Sequence, residues 1–153
     1  MKGILIDPFT ERVVEVSLTE QAQLEEYYLL LDCNTIDVIS IPDRGLIETS
    51  LQKGKLLGEG YDAPDSRFKN NSLYLDDEGL YKEDQKFYKF IGANLSGRGL
   101  ILGHDKSTGD AVSTKLSIED VRPLVDWETE DDILARKLSL HYLTNVGSSS
   151  DYH

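Results

Sequence analysis

Leu73-Tyr74-Leu75-Asp76-Asp77-Glu78-Gly79-Leu80-Tyr81 sets an apolar run against an acidic turn that closes on glycine. Leu73 to Leu75 and Leu80 to Tyr81 read as the arms of a β-hairpin, with Gly79 supplying the positive φ such a turn favours. Downstream, Phe87 to Ile91 is aromatic and strand-like, Asn94 to Gly97 reads as a loop, and Gly99 to Gly103 has the unbroken apolar pattern of a buried strand. His104 to Gly109 links it to Asp110 to Thr114, a further hairpin. Upstream, Thr35 to Ile41 alternates, with Ile36, Val38 and Ser40 on one face, and Pro42-Asp43 closes it. Lys2 to Ile6 and Arg12 to Val16 pair around the Pro8 turn. Leu24, Tyr27, Tyr28 and Leu31 recur at helical spacing, which predicts a helix from about Thr19 to Leu31, capped by Ser17 or Thr19 and broken by Asp32 to Asn34.

One stretch resists a clear period. Residues 44 to 71 carry scattered glycines, Pro64 and the polar run Asp65 to Asn71, and read as a surface excursion. Ser117-Ile118-Glu119-Asp120 is a helix start, with Ser117 as N-cap and acids in the first turn; Pro123 limits that helix near Val125. A last helix begins at Thr129 or Glu130 and carries Ile133, Leu134, Lys137, Leu138, His141 and Tyr142 along one side. Residues 147 to 153 read as a disordered tail. The fold expected is α+β: a single small domain over 1 to 146, mostly antiparallel sheet built from hairpins, with two to three helices.

With 153 residues, the chain is long enough for one domain with a real core. Its apolar runs are far shorter than the roughly 20 residues of a membrane-spanning helix, and Met1 to Pro8 lacks the pattern of a signal peptide. Cys33 is the sole cysteine, so no internal disulfide or cysteine metal site forms, and a cytoplasmic home in a bacterial host cell is expected. Twenty-eight acids against sixteen bases give a net charge of −12. Such a chain repels nucleic acids and anionic membranes, so an electrostatic partner is basic; solubility alone also accounts for the charge.

The acids are concentrated. Asp76, Asp77, Glu78, Glu83 and Asp84 face only Lys82, and Glu119, Asp120, Asp126, Glu128, Glu130, Asp131 and Asp132 face only Arg122. Brought side by side, the two runs would form one negative face able to imitate DNA phosphates or steer a basic partner, with Trp127 as anchor. The first run lacks the spacing of a metal loop, and no metal or other cofactor is expected. His104 and Asp105 beside Ser107 and Thr108 supply the residue types of a hydrolytic triad, but on a single turn, so no catalytic residues are assigned. A metal-dependent hydrolase is the least favoured class. An alternative small-ligand site, for a nucleotide-like signal, would use the 44 to 71 excursion, Arg98, and Phe87, Tyr88 and Phe90 as walls.

The order of elements resembles a known family. Ile6-Asp7-Pro8, Thr35-Ile36-Asp37-Val38 leading to Pro42-Asp43, Leu75-Asp76-Asp77-Glu78-Gly79-Leu80, Gly99-Leu100-Ile101-Leu102-Gly103 and Leu116-Ser117-Ile118-Glu119-Asp120-Val121 are similar to the domain of unknown function 3846 family, small proteins of phages, plasmids and other bacterial mobile elements. The likeness covers about Met1 to Trp127. It makes 44 to 71 a variable excursion and 129 to 146 an added helix, and it implies an origin but no reaction. Likeness and charge together set the expectation of a non-enzymatic acidic accessory protein that binds and inhibits or redirects a basic host protein, such as a nucleic-acid-binding or defence protein, in counter-defence or host takeover.

Overall fold

A computed structural model describes residues 1–41, 66–79 and 84–139. Pro42 to Asp65, the Leu80-Tyr81 arm, Lys82, Glu83, His141, Tyr142 and the 147–153 tail lie outside the described residues.

The chain forms an α+β domain. Its large sheet has strands β1 (Lys2–Asp7), β2 (Arg12–Ser17), β3 (Ile36–Ser40), β4 (Asn71–Asp76), β7 (Gly99–His104) and β8 (Ala111–Val112), ordered β2-β1-β7-β4-β3 with β8 on β7. A small sheet of β5 (Phe87–Phe90), β6 (Ala93–Ser96) and β9 (Val125–Trp127) is ordered β6-β5-β9. Every pairing among the described strands is antiparallel.

Period-2 alternation sorts the large sheet into two apolar faces. Ile4, Ile6, Leu73, Leu75 and Ile101 point to the small sheet, where Tyr88, Phe90, Leu95 and Val125 meet them. Leu5, Leu100 and Leu102 point the other way, under Tyr27 and Leu31 of helix α1 (Leu24–Leu31), whose Tyr27 ring stacks on Tyr74 at 5.1 Å. The sheet therefore lies between a helix and a second sheet. A strand covered on both faces reads as a continuous apolar run, which is why Gly99 to Gly103 was legible as buried.

Leu73 to Leu75 is a central strand and not the hairpin arm expected of it. β4 is paired on one side by β3, Leu73 opposite Ile39, and on the other by β7, Leu73 opposite Ile101. Both edges of β4 are therefore taken over Leu73 to Leu75. Gly79 does not adopt the positive φ expected of it; a Cβ there would lie 2.7 Å from the Ser96 hydroxyl, so close approach is what requires glycine.

Local chemistry moves other boundaries. α1 starts at Leu24 rather than Thr19, and neither Ser17 nor Thr19 caps it: Ser17 ends β2, and the Thr19 backbone N–H donates to Glu26. Leu24 is exposed, so the apolar face narrows to Tyr27 and Leu31, with Tyr28 half-buried. Asp32 ends the helix in the left-handed region, as its position predicts. Asn94 to Ser96 is strand, not loop, because Ile91 and Gly92 both take positive φ (46° and 74°) and turn β5 tightly into β6. An isoleucine there is unusual; its side chain is fully buried, which holds the turn.

The polar excursion also ends inside the core. Phe68, in a single 3-10 turn (Ser66–Phe68), is 1% exposed and Asn71 2%. The Asn71 amide donates to the carbonyls of Arg67, Phe68 and Lys69, and its oxygen accepts from the Thr114 hydroxyl at 2.6 Å. This buried polar knot fastens the excursion's end to the chain after β8. Polar residue types alone gave no hint of it.

Candidate functional site

Trp127 is placed by the sequence just before it. Ser117 caps α2 (Ile118–Val121), its hydroxyl accepting from the Asp120 N–H while Asp120 accepts from the Ser117 N–H, a capping box with aspartate in the glutamate position. The helix ends sooner than expected, since Pro123 lies in a 3-10 turn (Arg122–Leu124) and Val125 is already extended. Val125 to Trp127 then becomes an unexpected strand on β5, Trp127 opposite Tyr88. The two rings meet edge to face at 6.2 Å, and Trp127 stays half-buried at the margin between the sheets.

Among the described residues three hollows adjoin this ring. One of about 830 Å³ separates the outer face of the small sheet (Phe87, Lys89, Asn94, Asp126) from helix α3, which spans 130–139. A second, of about 260 Å³, lies between the β1–β2 turn and α3, and a third, of about 410 Å³, between β2 and α2. The helix is held by Arg136, whose Nε and Nη2 donate to the two Glu128 oxygens at 2.9 and 3.0 Å and whose guanidinium lies 4.3 Å over the Phe87 ring. Ile133 and Arg136 form the half-buried side of α3, whereas Leu134 and Leu138, expected on the apolar side, are exposed. One Arg–carboxylate fork stacked on a ring decides the helix orientation that apolar spacing misplaced.

Thr129 caps this helix. Its N–H donates to Asp132 at 2.9 Å, and its hydroxyl accepts from the Asp132 N–H. The bonds that its carboxylate accepts from Thr129, the backbone one foremost, hold the Asp132 carboxyl below the usual carboxylate range. A lowered folded-state value means the cap is fully engaged above the ordinary aspartate pKa, about 3.9, and is lost as the pH falls through the lowered value. The Thr129 amide resonance should show its inflection below that ordinary value and lose it in Asp132→Asn. An inflection at or above about 3.9 would contradict the cap.

The predicted acids divide. Asp76 is buried at the end of β4 and accepts from the Glu78 N–H, with Asp77 and Glu78 exposed beyond it. Asp120 is ion-paired with Arg67 at 2.8 Å, and Arg67 adjoins Asn71 at the opposite end of β4, roughly 17 Å away along a six-residue strand. Exposed Glu119 goes with it. Glu128 and Glu130, by contrast, come to the β1–β2 turn, where Phe9 lines both their hollow and a smaller one containing Asp76. Asp126, Glu130 and Asp131 are exposed, and Asp126 and Glu130 each line a hollow shared with Trp127. The structure brings part of the second run toward the first and leaves Glu119 and Asp120 at the far end.

The alternative ligand residues do not converge. Arg98, in the β6–β7 turn, reaches Asp7 at 3.5 Å and the Phe9 ring at 5.9 Å. Phe87 faces outward under Arg136. Tyr88 and Phe90 face inward and are fully buried, and burial pushes the Tyr88 hydroxyl far up. Asp105 is spent on its own turn, accepting from the Ser107 N–H and hydroxyl, while His104 Nδ1 meets the Ser72 hydroxyl at 2.9 Å. Among the described residues no three His, Cys, Asp or Glu side chains converge to hold a metal, and no helix is long and apolar enough to cross a membrane. Reading by charge runs missed Phe9, Glu11 and Arg136; an aromatic beside Pro8 in a hairpin turn was the available signal. No protein-family model, curated protein or solved structure matches the chain.

Proposed function

We propose that the chain is a non-enzymatic acidic accessory protein that binds a basic protein through the surface around Trp127. The phage or mobile-element setting, with a host protein as the target to be inhibited or redirected, rests on the resemblance over Met1 to Trp127. The observation that carries the binding reading is the placement of the chain's only tryptophan at the meeting of three hollows among the described residues, two of which are lined also by the exposed Asp126 and Glu130. Half-buried aromatic anchors supply interface energy, and unshielded charge at the rim supplies steering and partner choice.

The test is affinity capture from bacterial lysate with the wild type and with Asp126→Asn/Glu130→Gln/Asp131→Asn, three exposed changes. A specific partner should be retained by the wild type at 50 mM salt and released at 0.5 M, where screening acts over roughly 4 Å. The triple variant should retain at least about ten-fold less of it. Equal retention by both proteins overturns the proposal.

A second reading has one observation in its favour. The cleft of about 830 Å³ beside Phe87, Lys89 and Asn94 has the size of a small-molecule site. A nucleotide-like signal bound there at about 100 times its Kd would add roughly 2.7 kcal/mol of stability. A thermal-shift screen with nucleotides reads this directly.

A further inference from the structure

The hollow of about 260 Å³ has an unusual set of residues in its lining: three aromatics, Phe9, Phe87 and Trp127, and three glutamates, Glu11, Glu128 and Glu130. Aromatic faces carry negative quadrupole potential and carboxylates carry full charge, so both attract a cation and neither welcomes an anion. Lys86 also contributes to the lining, as an exposed residue, and leaves the carboxylates in excess.

Carboxylates narrow the choice of cation. A quaternary ammonium has no N–H to offer them. A guanidinium stacks flat on a ring while its fork of donors meets carboxylate oxygens. The fold already makes this arrangement next door, where Arg136 stacks on Phe87 and forks onto Glu128, whose side chain is 9% exposed. Arg98 lies over the Phe9 ring at the same turn. Glu128 is thereby committed, whereas Glu11 and Glu130 are both exposed.

We propose that this hollow seats an arginine side chain of the basic partner, its guanidinium stacked on Trp127 and donating to Glu11 and Glu130. This rests on the binding function above and names the group it reads.

The experiment uses the whole chain, with the indole N–H resonance of its single tryptophan as reporter. N-acetyl-arginine amide should shift that resonance saturably, with a Kd on the order of millimolar for so small a ligand. The lysine compound should bind about ten-fold more weakly, and the citrulline compound, an uncharged isostere, should not saturate. Glu11→Gln/Glu130→Gln, two exposed changes, should weaken the arginine compound at least about five-fold with the rest of the spectrum unchanged. The proposal is overturned by no saturable shift, by citrulline or lysine binding as tightly as arginine, or by indifference to the double variant. Failure here with variant-sensitive lysate capture intact removes only the arginine seat; loss of capture with the titration intact removes the protein partner.

Discussion

Replacing Phe68 with alanine is expected to destabilise the protein by about 3–5 kcal/mol, the usual cost of emptying an aromatic site in a core. The ring is 1% exposed and belongs to the core shared by the two sheets. For a chain of this length that corresponds to a fall of about 6–20 °C in Tm, or a large drop in urea midpoint with unchanged slope. Phe9→Ala, at a ring that is 46% exposed, should cost about 1 kcal/mol or less and serves as the control. Similar losses for the two variants would mean that the segment ending at Asn71 is not docked into the core.

Gly99→Ala is expected to cost about 1–3 kcal/mol or more, against the usual gain from removing a glycine in a strand. A Cβ at Gly99 would run into the Tyr88 hydroxyl and lie 3.2 Å from a Leu73 methyl. Tyr88→Phe alone should be neutral or stabilising by up to about 1–2 kcal/mol, because the buried hydroxyl meets no hydrogen-bond partner among the described residues. It should also relieve much of the Gly99→Ala defect, giving a coupling of at least about 1 kcal/mol in a double-mutant cycle read by denaturant. Additive losses would place the clash elsewhere. A Tyr88→Phe loss above about 1 kcal/mol would show that the hydroxyl is bonded after all.

Much of the architecture was legible because it is local. Lys2 to Ser17 announces its hairpin by β-branched residues around Asp7-Pro8, and Asp7 closes the turn by accepting from the Phe9 N–H and the Thr10 hydroxyl. Ser117 and Asp120 announce their cap by identity and spacing. What failed was pairing. Leu73 to Leu75 carries the same residues whether it is one arm of a hairpin or a central strand, and only β3 and β7 on its two sides decide which. Val125 to Trp127 is too short to signal a strand without β5 beside it.

Taken alone, the sequence determined the fold class, the cap at Ser117, the buried strand at Gly99 and the uneven distribution of charge, since each follows from neighbours within one or two turns of chain. Tertiary structure decided where the charge ends up. The acidic run at Asp76 and the run at Glu119 are distant in sequence, and strand order fixes their separation: it sends Asp120 to Arg67 at one end of β4 and brings Glu128 and Glu130 to the other. It also decided that Phe68 is core and that Phe9, Phe87 and Trp127 share a hollow with three glutamates. Side chains from the β1–β2 turn, β5, β9 and α3 meet there only because the two sheets pack face to face, and no spacing along the chain encodes that contact.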